Sequence, residues 1–219
     1  MAAPYTAAVM SYAAVIFDLD GTLVDTITLW TRAYVDSLED IGVSMSDEDF
    51  IENLYTKASH VHTVLEGIGK LETVDAFRTS RDARYIRALE TSAVWIAGAE
   101  EVLTELKGRT RIAIATGSHR SYTDPLDAKL GLSRYAEMII TCDDVEQGKP
   151  EPDMLLLAAE RLHLQPSECL YVGDQMFDVA AAHSAGMPCW VVPNANTPNE
   201  AKQKADTVIH SLAELLTLL

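Results

Sequence analysis

Cysteine is scarce in this chain: three residues in 219, far apart at positions 142, 169 and 189. An odd, scattered set gives no disulfide framework. With no CxxC and no Cys/His cluster along the sequence, a zinc site is not expected either. Cys169 and Cys189 stand beside apolar, strand-like residues and read as buried free thiols. Basic side chains are also few, 17 Lys and Arg against 33 Asp and Glu, for a formal net charge of −16. A field of that sign repels a phosphate backbone, so nucleic acid is not an expected partner. A small anion is allowed where a metal ion and a few local cations reverse the potential. No run approaches about 18 uninterrupted apolar residues, so no membrane span is expected, and no membrane partner. Residues 1–12 are Ala-rich without a basic n-region, and the apolar run continues into a strand that cleavage would destroy. No signal peptide is expected, and the chain reads as cytoplasmic.

What the chain does have is Phe17-Asp18-Leu19-Asp20-Gly21-Thr22-Leu23-Val24-Asp25, directly after the apolar run Ala13–Phe17. Two carboxylates then emerge at the C-terminal end of a buried strand, where open α/β sheets bind ligands. Asp18 and Asp20, two apart, lean to the same side if the strand continues. Gly21 permits a sharp departure of the backbone. Carboxylates held that close repel unless a cation or a shared proton intervenes. Such a pair suits a metal-assisted nucleophile with an acid/base neighbour; a strand ending in a polar Asp-Gly turn is the plain alternative.

The strand pattern then disappears for about seventy residues. Leu29, Ala33, Val35, Leu38 and Ile41 recur at helical spacing up to Gly42. Ser46-Asp47-Glu48-Asp49 reads as a capped helix start, Val61 to Ile68 as a short helix, and Val74 to Glu90 as a longer amphipathic one. From Gly98 onward helices and strands alternate. Strands are expected at 111–115, 137–141, 169–172, 190–192 and 207–209, with helices at 100–106, 124–130, 154–162, 179–184 and 212–218. Thr197-Pro198-Asn199-Glu200 reads as a capping box with Pro at the first helical position. Strands separated by helices predict an α/β fold with a doubly wound parallel sheet, a Rossmann-like core. The expected boundaries are 1–25 and 96–219 for that core and 26–95 for an inserted helical domain. Linkers fall near Val24-Asp25 and Ile96-Ala97-Gly98.

Four pieces fall at strand ends in order: Asp18/Asp20, Thr116-Gly117-Ser118, Lys149-Pro150, and Gly173-Asp174-Gln175-Met176-Phe177-Asp178. In these the sequence resembles the haloacid dehalogenase-like hydrolases, in particular the branch of phosphoglycolate phosphatase and β-phosphoglucomutase. The resemblance runs from about Ala13 to Leu219.

It implies a Mg²⁺-dependent phosphomonoester hydrolase acting on a small phosphorylated metabolite through an aspartyl-phosphate. Asp18 would be the nucleophile and Asp20 the acid and then the base. The metal would sit on Asp18, Asp174 and the main-chain carbonyl of Asp20. Thr116, Gly117 and Lys149 would bind phosphate, Lys149 also restraining Asp18. Asp178 would support the metal residues by hydrogen bonds, or else serve as a helix-start residue facing the dipole. Ser118 and Arg120 could line the phosphate pocket, with a surface role for Arg120 equally open. The inserted helices would close over the substrate and set specificity. Trp30 is expected there as an apolar pocket wall or as core, and Lys57 and His60 as groups reaching the site or as exposed helix residues. His60, His62, His119 and His163 show no metal-ligand spacing.

Two other outcomes are distinguishable. In the β-phosphoglucomutase branch a His stands in the early cap helix where this chain has Trp30, which disfavours a mutase. A catalytically silent binding domain on the same fold would not need all of Asp18, Asp20, Lys149 and Asp174.

Overall fold

The computed structural model describes residues 11–55 and 61–219. Six parallel strands form one sheet: β1 (Ala14–Phe17), β2 (Arg111–Ala115), β3 (Met138–Ile140), β4 (Cys169–Gly173), β5 (Cys189–Val191) and β6 (Thr207–Val208), in the order β3-β2-β1-β4-β5-β6. The central strands are short, continuously apolar runs because both faces of the sheet are covered: β1 is Ala-Val-Ile-Phe and wholly buried. Register places Phe17 beside Ile114 on one side and Val172 on the other. The C-terminal ends of β2, β1 and β4 are therefore neighbours. The strand order reverses between β1 and β4, the crevice where open α/β sheets take ligands.

The chain divides into two compact units. One comprises residues 1–24, 95–120 and 131–219 and carries the sheet; the other comprises 25–94 and 121–130. In the second, α1 (Ile27–Asp40) buries Tyr34, Val35 and Leu38, and the short α2 (Asp47–Phe50) runs into a π-helical turn, Ile51–Tyr55. α3 (Val61–Gly67) and α4 (Val74–Ser92) complete a core built on Tyr34, Phe50, Leu65 and Phe77. Ser46 caps α2 as its sequence suggests, accepting the Asp49 N–H at 3.0 Å. In the sheet-bearing unit, α5 (Ala99–Leu106) follows Gly98, which takes φ +81°, a conformation glycine adopts without strain.

α6 (Arg120–Leu130) begins four residues before the expected start. The carboxylate of Asp143 accepts the Arg120 N–H at 2.7 Å, so the cap comes from a distant loop rather than from the local sequence. From Ser121 onward this helix belongs with the second unit, where Tyr122 meets Trp30 and Tyr85 edge-to-face and donates to Asp82 at 2.8 Å. α7 (Asp153–Arg161), α8 (Met176–Ala185), α9 (Asn199–Lys204) and α10 (Leu215–Leu218) return to the sheet-bearing unit. The capping box read at Thr197 is not formed. The Thr197 hydroxyl instead accepts the Asn194 N–H at 2.9 Å, tightening the loop after β5. No helix among the described residues is long and apolar enough to cross a membrane.

Candidate active site

Asp18 leaves the end of β1 with its N–H still bound to the Val172 carbonyl at 2.8 Å, so the nucleophile candidate is fixed by the sheet itself. The chain then turns sharply. The Leu19 carbonyl accepts from Leu23 and Val24 at 2.9 and 3.0 Å, and Gly21 sits at φ +79°. The turn redirects Asp20 toward the end of β2, where its Oδ2 accepts from the Thr116 hydroxyl at 3.0 Å and the Ser118 hydroxyl at 2.7 Å. Ser118 N–H in turn donates to Thr116 Oγ1 at 3.0 Å, and Gly117 between them is exposed. Asp18 is buried and Asp20 half-buried, so the two carboxylates meet different surroundings.

Lys149 holds the centre. Its Nζ reaches Asp18 Oδ1 at 2.5 Å, Asp178 Oδ1 at 2.7 Å and the Tyr171 hydroxyl at 2.9 Å, with the side chain only 2% exposed. Burial alone would lower its pKa, but the Asp178 and Asp18 carboxylates outweigh that and raise it, so the ammonium stays charged. Asp178 divides its two oxygens between different partners. One oxygen faces Lys149 and Tyr171, while the other accepts the N–H groups of Asp174 and Gln175 at 3.1 and 2.9 Å at the start of α8. A Cβ on Gly173 would lie 2.6 Å from the Asp178 carboxyl carbon, so a glycine is required for that approach.

Asp174, fully buried at the end of β4, accepts from Thr22 Oγ1 at 3.1 Å, Gln175 Nε2 at 2.5 Å and Asn194 Nδ2 at 2.8 Å. Burial and the neighbouring Asp178 push its pKa up to about 7 despite those donors. Asp18 is raised too, by burial first, with Lys149 opposing and Asp178, Asp174 and Asp20 adding to it. Carboxylate oxygens of Asp18, Asp174 and Asp178 lie within 4.8 Å of one another. Three carboxylates against one ammonium leave an excess of negative charge, and the donors are oxygens only. That set suits a small hard cation such as Mg²⁺.

Four partners in this network, Thr22, Tyr171, Gln175 and Asn194, are not among the residues singled out from sequence. Tyr171 is the one polar-tipped side chain in the apolar run of β4, and Asn194 follows β5 at the same sheet edge; both were available signals. Arg120 turns to Asp144 at 2.5 Å, the surface role of the two left open. Trp30 lies in the second unit, in edge-to-face contact with Tyr34, Tyr85 and Tyr122, with the Arg81 guanidinium 4.8 Å from its ring centre. Lys57 and His60 lie outside the described residues.

Remote in sequence, His119 and Cys142 nonetheless meet, Nδ1 and Sγ 3.4 Å apart with Asp143 beside them. A Cys/His cluster therefore exists in space, formed because the loops after β2 and β3 are neighbours.

A family model described as haloacid dehalogenase-like hydrolase matches residues 12–186. The fructose-1-phosphate phosphatase YqaB of Escherichia coli is 30% identical over 80% of this chain and 94% of its own length. The phosphoglycolate phosphatase of Yersinia pestis is 30% identical over 92% and 90%. Among solved structures, a HAD family hydrolase from Deinococcus radiodurans with bound phosphate and sodium superposes with a TM-score of 0.76. It is 26% identical, with 93% of each chain covered. The chain belongs to the haloacid dehalogenase-like hydrolases, and its place among them is with the phosphatases.

Proposed function

We propose that this enzyme hydrolyses the phosphomonoester of a small metabolite by way of a phosphorylated Asp18. The observation that carries the reading is the convergence of Asp18, Asp20, Thr116, Lys149 and Asp174 on the ends of adjoining strands. An Asp18 oxygen attacks phosphorus, and the bond from phosphorus to the ester oxygen breaks. Asp20 delivers its proton to that departing oxygen, then takes one from the water that attacks the same phosphorus and frees Asp18. Thr116 and Ser118 orient the Asp20 carboxylate for both transfers. Lys149 favours the ionised form of Asp18 and aims it, and offsets phosphate charge. Gly117 presents backbone without a side chain beside the phosphoryl oxygens.

Mg²⁺ fits the oxygen donor set, held by Asp18 and Asp174 with the Asp20 carbonyl. When bound it would neutralise the crowded carboxylates and withdraw charge from a phosphoryl oxygen. Asp178 keeps its oxygens for Lys149, Tyr171 and the start of α8, and so positions rather than ligates.

Relatives act on fructose 1-phosphate and phosphoglycolate, and another is an N-acetylmuramic acid 6-phosphate phosphatase from Pseudomonas putida. The substrate class inferred for this chain is a phosphorylated sugar or short organic acid. Residues 26–95 act as the cap that selects among such compounds, with Trp30 a part of its aromatic core.

The test is phosphate release from p-nitrophenyl phosphate with and without Mg²⁺, followed by a panel of sugar phosphates and phosphoglycolate. The reading requires Mg²⁺-dependent release. A second arm supplies β-glucose 1-phosphate with a trace of the bisphosphate. Glucose 6-phosphate forming faster than inorganic phosphate would replace the hydrolase with a mutase.

A further inference from the structure

We propose that His119, Cys142 and Asp143 form a binding site for a thiophilic divalent cation of the zinc class, distinct from the carboxylates around Asp18. The three donors come from two loops of the sheet-bearing unit, one after β2 and one after β3. Backbone hydrogen bonds hold these loops together. Cys142 N–H donates to the Ser118 carbonyl at 3.3 Å, and Arg120 N–H donates to Asp143 Oδ2 at 2.7 Å. The turn bearing Cys142 is itself closed by Asp144, whose Oδ2 accepts from the Thr141 N–H and hydroxyl, both at 2.8 Å, and from Arg120 Nη2 at 2.5 Å. Scaffold and donors are thus separate: Asp143 spends Oδ2 on the backbone and turns Oδ1 toward the other two.

One side of the donor triangle already has the length a bound ion needs, and the other two fall on either side of it. His119 Nδ1 lies 2.7 Å from Asp143 Oδ1 and 3.4 Å from Cys142 Sγ, and the sulfur is 4.0 Å from that oxygen. Metal–ligand bonds of about 2.0–2.3 Å at tetrahedral angles require separations of roughly 3.3–3.7 Å. The nitrogen and oxygen must part by roughly 0.6–1 Å as the proton between them gives way to the ion, and the sulfur must approach the oxygen by a few tenths of an ångström. The His119 and Asp143 side chains are 60% and 44% exposed, so no packed core opposes that adjustment.

Sulfur and imidazole nitrogen select zinc, cobalt or nickel over magnesium and calcium. Three protein donors at an exposed position leave the fourth to water. The Arg120 N–H that fixes Asp143 plays the orienting part that outer hydrogen bonds play around bound metals. The other two cysteines are buried in the sheet core and cannot serve.

Cobalt is the probe. Titrated into the full-length protein in the absence of chelators and thiols, Co²⁺ should give a thiolate-to-metal charge-transfer band that Zn²⁺ bleaches. Cys142→Ser and His119→Ala should lose the band, whereas Asp174→Asn should keep it. No band at large excess of Co²⁺, or a band that survives Cys142→Ser, overturns the proposal. A measurement on the unaltered protein guards against misfolded variants: iodoacetamide should label the Cys142 peptide, and Zn²⁺ should protect it. Equal labelling with and without Zn²⁺ likewise overturns the proposal. Neither readout depends on turnover, so failure here is distinguishable from failure of the phosphatase reading.

Discussion

Both units hold a cation between two carboxylates, and they use it differently. In the sheet-bearing unit Lys149 is buried against Asp18 and Asp178, with a tyrosine hydroxyl as third partner. In the helical unit Arg84 reaches Asp40 at 2.8 Å and Asp36 at 3.9 Å, with all three side chains at least a third exposed. Water screens the second arrangement, which contributes little. The first takes charges out of water, and removing one partner would strand the others at high cost. A buried network that leaves negative charge in excess is poor as pure structure. It is suited to a further cation and an anionic substrate, whereas the exposed pairs decorate a helical unit with an aromatic core.

The widest separation between the two regions should come from Asp18→Asn. The amide keeps the shape but removes nucleophilicity, so kcat should fall by at least about 10⁴-fold in a protein that still folds cooperatively, even if the lost partner of Lys149 lowers its Tm. A variant retaining a tenth of wild-type rate on p-nitrophenyl phosphate would sink the covalent route.

Asp20→Asn should cost less, about 10²–10⁴-fold in kcat, because it removes proton transfer and leaves the nucleophile. Isothermal titration should show Mg²⁺ affinity preserved, since the contact assigned to residue 20 is its main-chain carbonyl. Affinity lost as fully as in Asp174→Asn would mean the roles are misassigned.

A smaller effect distinguishes the regions by pH. Asp174 has its folded pKa near 7 against an ordinary value of 3.8. Between those values the folded state binds more protons than the unfolded one, so this group's contribution to stability is lost as pH rises through the window. The exposed carboxylate Asp40 is lowered by its bonds to Ser80 and Arg84, so it is already ionised in both states above pH 5 or so. The metal-free protein should therefore lose thermal stability between about pH 5 and 7.5. Mg²⁺ should restore more at the higher pH, and Asp174→Asn should flatten the profile. A metal-free profile that rises through that interval would contradict the account.

Least of all should follow from Arg84→Ala. Its partners remain solvated, and Tm should move by no more than about 2 °C with kcat unchanged. A larger loss would erase the contrast between the networks.

The strands and the order of the four strand-end motifs were legible because parallel sheets write themselves as short apolar runs ending in polar loops. Asp18, Thr116 and Asp174 each follow such a run directly. What stayed hidden depends on contacts between distant segments. The early start of α6 needs Asp143, and the role of Thr197 is set by Asn194. The meeting of His119 with Cys142 depends on β2 and β3 being neighbours. Tyr171 was masked by its setting, since an aromatic in a strand reads as packing. In the helical unit Trp30 was readable as apolar but not as a stacking partner of Arg81, since that pairing needs α1 against α4.

The central claim is the phosphorylation of Asp18, and it can be read directly. Enzyme turning over a saturating phosphomonoester with Mg²⁺ is quenched with borohydride, which reduces an acyl phosphate to the alcohol, and the digest is sequenced by mass spectrometry. The account predicts homoserine at position 18 alone, dependent on substrate. Reduction at any other carboxylate, or an unmodified Asp18 in enzyme that is releasing phosphate, would contradict it.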